Sequence, residues 1–409
     1  MTRHPPSARE NPLARLGRLA EADPRVLALA GTLLAIALVL EIASGGVFLS
    51  PRNLYNLSVQ SSVVGLMASG MVLVIVARHI DLSVGSLLGF TGMAIATLQA
   101  EVLPPQAPWA WPLALAAGLV LGAAIGAWQG YWVAYRGVPA FAVTLAGLLI
   151  FRGAAYLLTE GRTVAPLHPT FQMLGGGLGG SIGARWSWIL AAAGLLALAG
   201  LGARDRLERR RHGLTPRPHW ADAARLLTWG GLIVGFVLAM NAYPHPRTGS
   251  ARGVPIPVLV LLGAGLAMAA LARRTRMGRY VFAIGGNPEA AALAGIDVKR
   301  VTLGVFVLMG GLSAVAGAIT AARLGAGTNS MGTLAELHVI AAAVIGGTSL
   351  AGGAGSVLGA ILGALIMQSL DNGMVLLGVS SALRQVLTGL VLIVAVWVDS
   401  LASRRRVAR

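Results

Sequence analysis

The sequence predicts an all-α membrane protein, a bundle of about twelve spanning helices with both termini on the cytoplasmic side. Three observations carry that prediction. Hydrophobic residues make up 56% of the chain and charged residues 11%, apolar runs long enough to span recur from end to end, and cations collect in alternate connections. Soluble domains carry about a quarter charged residues, and a soluble fold of 409 residues could not hide this much apolar surface. The runs are continuous rather than alternating, which favours helices over the strands of a β-barrel.

In chain order the candidate spans are 27–49, 57–77, 82–100, 110–134, 139–159, 186–203, 226–243, 254–272, 301–322, 336–350, 354–372 and 382–399. Residues 1–26 are polar and Arg-bearing and form a cytoplasmic N-terminal segment. The apolar run behind them is longer than a signal-peptide core, so it is expected to remain as the first span. A transmembrane domain at 27–403 includes a hairpin at about 186–243 and a cytoplasmic segment at 273–300, and a basic tail follows at 404–409. The 336–350 and 354–372 pair is short and Gly-rich, which leaves full spans and re-entrant helices both open there.

Cations set the orientation. With the N-terminus inside, 24 of the 32 Lys and Arg fall on the inner side: in 1–25, at Arg78 and Arg136, and in 204–225, 273–300 and 404–409. This three-to-one bias is the positive-inside pattern, and two inner termini require an even number of spans. It also accounts for the net charge of +17. No basic face interleaved with aromatics exists to track a phosphate backbone, so the bilayer, and no nucleic acid, is the expected partner.

A parallel internal repeat is expected at an offset of 270 residues, where VIVARHIDLSVGSLLG (74–89) meets VIGGTSLAGGAGSVLG (344–359). Both stretches finish one span and begin the next on the inner side, so the first four spans would be echoed by the last four. Glycines stand four residues apart at Gly118, Gly122, Gly126 and Gly130, and again at Gly355, Gly359 and Gly363. Stripes without Cβ atoms let helix backbones approach, so these are expected to serve close packing in the bundle.

Several chemistries are excluded. A Walker A loop needs Gly-Lys-Ser/Thr, and the sole Lys, Lys299, follows Val298. Cys is absent and no HExxH pattern occurs, so thiolate chemistry and a metal site are not expected. His79 and Asp81 lie at a predicted cytoplasmic boundary, where a solvated or structural role outweighs a proton relay. Ion-coupled carriers keep acidic groups near the midplane, whereas Glu41 and Asp371 lie near span ends and Glu336 at an outer edge. Arg152 and Arg384 are the other ionisable groups within spans. Asp371-Asn372-Gly373 offers polar groups beside a helix end near the outer face, which makes Asp371 and Asn372 the candidates for the substrate path.

The informative segment is ARRTRMGRYVFAIGGNPEAAALAGIDVKR (272–300). Asn287 is a good N-cap, Pro288 suits the first helical position and Glu289 complements the positive helix end. Ala290 to Ala294 favour helix, and Gly295 can supply a left-handed terminus. About two turns of helix are too short to persist alone in water, so the rod is expected to dock on a partner.

At this rod the chain resembles a family. GGNPEAAALAG (285–295) is similar to the cytoplasmic coupling loop of ABC-importer permeases, with Glu289, Ala290, Ala291 and Gly295 matching the opening of the EAA-then-Gly motif. IDLSVGS (80–86), WVAYRGVPAFAVTLAG (132–147), MGRYVFAIGGN (277–287), AGID (294–297) and the stretch from Ala335 to Met374 resemble the permeases of monosaccharide importers for ribose, xylose and related sugars. The extra hairpin at about 186–243, RLGAG (323–327), SLDNGM (369–374) and VWVDS (396–400) resemble the xylose-transport branch. Ala292 departs from the pattern, standing where relatives commonly carry Arg, and the downstream Ile and Leu-Pro of the wider motif are absent.

The resemblance implies an inner-membrane permease subunit with no catalytic site of its own. Two permease chains, identical copies in the expected case, would form the path, and each would seat its 287–295 rod in a groove of a sugar ABC-type ATPase. ATP and magnesium would be bound by that ATPase and no cofactor by this chain. A periplasmic sugar-binding protein would deliver the monosaccharide, with xylose or a relative as cargo. The alternative class is an ion-coupled secondary transporter, and an intramembrane enzyme would need a converging constellation that the spans lack.

Overall fold

A computed structural model describes residues 24–177, 179–213 and 219–407. Most of the expected N-terminal segment, part of the loop between the hairpin helices, and the last two residues lie outside the described residues. Within them no strand forms, only isolated bridges such as Val164 with Gly327.

The main helices are α1 (Pro24–Ala43), α2 (Pro51–Val76), α3 (Val84–Thr97, continued by a π turn over Leu98–Val102), α4 (Ala110–Ala134), α5 (Ala140–Thr159), α6 (Gly183–Arg211) and α7 (His219–Asn241). They continue with α8 (Ile256–Arg274), α9 (Arg276–Gly286), α10 (Pro288–Leu293), α11 (Val298–Leu324), α12 (Ala335–Ile345), α13 (Val357–Leu376) and α14 (Ser381–Val407). Each predicted span coincides with a helix. Among the described residues, nine of these helices are long and apolar enough to cross a membrane. The helices α3, α12 and α14 are the others. Eleven residues of α12 rise only about 16 Å, half of a ~30 Å hydrocarbon core, and the chain before it, 325–334, is not helical. The helix α14 runs unbroken to Val407, so no structural boundary separates the bundle from the basic residues after 403.

The described chain divides into two compact units, residues 24–31 with 182–254, and residues 32–181 with 255–407. In the smaller unit α6 and α7 form an antiparallel hairpin. Its base is closed by Ile182 N–H to Val254 O (3.1 Å), Gly183 N–H to Arg252 O (2.9 Å) and Val254 N–H to Ser187 Oγ (2.9 Å). Twenty-nine residues of α6 rise about 43 Å, so its Arg-rich last turns extend past the apolar layer. There Arg206 pairs with Asp222 across the hairpin, and Arg204 with Glu208 (2.8 Å) along the helix.

In the larger unit α2 is the axis. Its apolar window is 89% buried, with Leu66, Met67, Met71, Leu73 and Ile75 inside. A helix hydrophobic all round belongs inside a bundle. The backbones of α4 and α11 meet at glycines. A methyl group added at Gly122 would stand 2.6 Å from Ala314 Cβ and from Gly310 O, and one at Gly126 would strike Phe306 O. Gly118 faces Ile95 and Gly130 faces Leu303. Gly359 and Gly363 press on the backbone at Gly346 and Ala342, whereas Gly355 precedes the N-cap Ser356 and meets Val72 and Val76 instead.

The two stretches expected to repeat, 74–89 and 344–359, are each helix, loop, helix, and they touch where Gly353 N–H donates to Val76 O (3.0 Å). Matched serines differ in use. Ser356 caps α13 through Gly359 N–H (3.2 Å), while Ser86 lies inside α3.

The α2–α3 connection is a buried polar knot. Asp81 Oδ1 accepts from Ser83 N–H (2.9 Å) and Ser83 Oγ (2.6 Å), Gln129 Nε2 donates to Ser83 Oγ (2.8 Å), and Thr144 Oγ1 donates to Ile80 O (3.1 Å). His79 lies against the Phe306 ring, 5.9 Å between centroids. Asp81 is therefore structural rather than solvated, with 1% exposure. Burial pushes its carboxyl up to about 6, against the pull of the two Ser83 hydrogen bonds. The folded chain thus holds a proton that the unfolded chain releases near pH 3.8. Stability from this group is greatest at low pH and is lost as pH rises through that window to about 6. Asp81→Asn, which keeps the acceptor without the charge, should raise the thermal midpoint at pH 7, by up to about 3 kcal/mol in free energy. It should also flatten the wild-type gain on acidification, read by thermal unfolding in detergent at pH 4.5 and pH 7.

Candidate functional site

The chain between α8 and α11 leaves the bundle and returns through two short helices. Thr275 opens α9 by accepting from Gly278 N–H (3.1 Å). Asn287 then closes α9 and opens α10, its Oδ1 accepting from Glu289 N–H and Ala290 N–H, both at 3.0 Å. Gly295 sits at φ +84°, where it donates to Ala292 O (3.0 Å) while Ile296 N–H reaches Ala291 O (3.1 Å). That paired closure needs a left-handed residue, which glycine adopts without a Cβ clash. Pro288 holds the first helical position. One side-chain cap, accepting two hydrogen bonds, and a glycine terminus thus define a rod of six residues.

The rod has an inner and an outer face. Ala291 is buried, at 5% exposure, against the core of the larger unit, so it anchors the rod rather than facing outward beside Ala290. Glu289, Ala290, Ala292 and Leu293 are exposed, and Leu293 at 90% is an apolar knob in open space.

Arg78 ties this region to the bundle. It takes a left-handed backbone at φ 66° directly after α2, which aims its side chain at the end of α9. Its Nε donates to Gly285 O and its Nη2 to Gly286 O, both at 2.8 Å. Those carbonyls belong to the last turn of a helix and lack intrahelical donors, and a cation there complements the negative helix end. Alongside, the backbones of α2, α9 and the loop before α13 come into direct contact. A Cβ at Gly285 would collide with Val76 O and stand 2.5 Å from Gly353 N. The chain at the end of the most buried helix is thus joined to the last turn of α9, just before the rod, through two hydrogen bonds and a glycine contact.

The two residues expected on the path are held in separate pairs. Asn372 and Asn53 exchange amide hydrogen bonds, Asn53 Nδ2 to Asn372 Oδ1 at 2.9 Å and Asn372 Nδ2 to Asn53 Oδ1 at 3.1 Å, and fasten α13 to α2. Asp371 pairs with Arg384 of α14 at 3.2 Å. It borders an apolar cavity of about 430 Å³ between α13 and α14, lined by residues such as Met367, Met374, Leu387 and Val391.

Sequence reasoning did not single out Arg78 or Leu293. Leu293 was in principle legible, since it follows Glu289 by one helical turn. Arg78 reads as one more inner cation, and nothing local announces that its backbone turns it toward a helix end 207 residues away.

A family model described as "Branched-chain amino acid transport system / permease component" matches residues 53–396. The chain is 43% identical over 381 residues to the xylose transport system permease protein XylH of Escherichia coli, covering 93% of each. It is 42% identical over 373 residues to the protein of that name from Haemophilus influenzae, covering 90% of this chain and 95% of the relative. Against the ribose import permease protein RbsC of Escherichia coli it is 35% identical over 353 residues, covering 86% and 87%. No solved structure matches. The matched region runs from α2 into α14 and takes in both the rod and its Arg78 tie, and the chain belongs to this family of transport-system permease components.

Proposed function

We propose that the chain is the membrane-spanning permease subunit of an ATP-binding-cassette importer in the bacterial inner membrane, with xylose or a related monosaccharide as cargo. The relatives at 43% and 35% identity are named for xylose transport and ribose import. The observation that carries the reading is the capped rod 288–293, joined to the axis of the bundle and presenting Leu293 at 90% exposure.

In this reading residues 273–300 face the cytoplasm, and the outer face of the rod (Glu289, Ala290 and Leu293) enters a groove on a sugar ABC-type ATPase. Asn287, Pro288 and Gly295 shape the rod, and Ala291 roots it. ATP and magnesium belong to the ATPase, since the chain has no Gly-Lys-Ser/Thr loop. Closure of the ATPase pushes the rod, Arg78 passes the displacement to α2, and the bundle reorients. A periplasmic sugar-binding protein supplies cargo, and a second copy of the chain completes the path. Residues 1–26 and 404–409 are cytoplasmic flanks of a permease domain at 27–403, to which the hairpin at about 186–243 is an addition.

Reconstitution with ATPase and binding protein tests the whole. ATP-dependent accumulation of xylose is expected, and its absence for every pentose and hexose would end the proposal. Glu289→Lys reverses the charge at the rod's positive end, worth about 1 kcal/mol, and should lower capture of the ATPase about fivefold with normal membrane insertion.

Arg78→Ala separates transmission from docking. It should leave ATPase capture within about twofold while cutting sugar-stimulated hydrolysis and uptake about tenfold, the equivalent of one charge-assisted hydrogen bond. Equal loss of capture and of stimulation would assign Arg78 to docking instead.

A further inference from the structure

Between α11 and α12 the larger unit contains backbone that is neither helix nor surface loop. Residues 325–334 enter the bundle before α12 begins, and Leu334 takes a left-handed φ of 60° to start that helix. Arg152 of α5 holds the stretch in place, its Nη1 donating to Asn329 O (3.0 Å) and Met331 O (2.9 Å). Arg152 lies seven residues, about 10 Å, inside the end of α5 at Thr159. Packing against α3 gives the same depth. A methyl at Gly92 would stand 2.9 Å from Gly317 O, seven residues inside the end of α11, and one at Gly89, a turn further in, 2.6 Å from Met331 O. The unwound stretch therefore lies well within the thickness of the bundle.

Non-helical backbone at membrane depth is tolerated only where protein buries it or where it lines a water-filled cavity. Here the side chains favour water. Ser330 and Thr333 are exposed, Thr328 Oγ1 lies 3.2 Å from Ser330 Oγ, and Thr333 Oγ1 donates to Ser330 O (2.8 Å). Both the oxygen and the nitrogen of the Asn329 side chain are buried with no partner among the described residues. Such a cluster is poor lipid contact, and packing against α3 is left to Met331 and Gly332 of the same stretch. Charge is kept back, with Arg152 committed to carbonyls and Glu336 buried at 7% exposure. What is offered is a set of neutral groups that both donate and accept, the complement of a sugar's hydroxyls.

The geometry points to residues 328–333 as a station on the translocation path, where Asn329 and the hydroxyls of Thr328, Ser330 and Thr333 hydrogen-bond an uncharged monosaccharide. This rests on the sugar-importer reading and adds the place where the permease itself meets its cargo. It also differs from the pairs that hold Asp371 and Asn372, whose polar atoms serve the bundle.

The chain has no Cys, so Ser330→Cys and Thr333→Cys each create a single thiol in an otherwise unaltered protein. In proteoliposomes containing the complete transporter, both should react with a hydrophilic methanethiosulfonate, and saturating D-xylose should slow the reaction about tenfold. Leu149→Cys, at a position 68% exposed on α5, serves as the lipid-facing control and should stay unlabelled. Asn329→Leu should raise the KM for xylose uptake about tenfold, equivalent to one or two neutral hydrogen bonds. Asn329→Gln should recover part of that, and nucleotide-driven hydrolysis without sugar should not change.

Labelling no faster than at the control, ready disulfide formation between two copies at position 330, or labelling indifferent to xylose would each overturn the inference. In those cases the unaltered complex still imports xylose and the parent reading stands. If the unaltered complex imports no sugar, the parent reading fails and this inference with it.

Discussion

A backbone carbonyl or amide placed in hydrocarbon must find its partner within the protein, at a cost of several kcal/mol for each that does not. This constraint organises the molecule. It explains why the described chain is mostly helical, and it gives Arg152 its purpose where helix stops at membrane depth, while Arg78 does the same for a helix end outside the bundle. Arg78 serves the open carbonyls of Gly285 and Gly286. Arg152 serves those of Asn329 and Met331. In both places one guanidinium spans two carbonyls, at a helix end beside the rod in one case and on unwound backbone in the other.

The acidic side chains fit the same economy. Glu41 turns back to Leu49 N–H (2.7 Å), Asp371 meets Arg384, and Asp81 is taken up by Ser83. Each closes a turn or a helix contact. Glu336 is the departure, its Oε2 buried without a hydrogen-bond partner among the described residues.

Helix positions were legible because continuous apolar runs of spanning length have few other destinations, and the rod at 287–295 was legible because caps are local chemistry. Asn287, Pro288 and Gly295 each announce their role within three residues of sequence. Long-range partnerships gave no such signal. Asn372 looked available for cargo because its partner, Asn53, lies 319 residues away. The glycines at 355, 359 and 363 looked like one stripe, although helix α13 starts only after Ser356 and leaves Gly355 facing a different neighbour. The 336–350 segment looked short because its helix holds only eleven residues, and the chain before it, 325–334, is unwound in a way that no periodicity can reveal.

The meeting of Gly285, Val76 and Gly353 has a mechanical consequence. Side chains normally act as cushions between elements, and a soft cushion absorbs small displacements by changing rotamer. Here peptide groups touch with nothing between them, so the linkage has no backlash. A displacement of α9 at Gly285 presses directly on the end of α2 and on the loop before α13, with no side chain between them to absorb it.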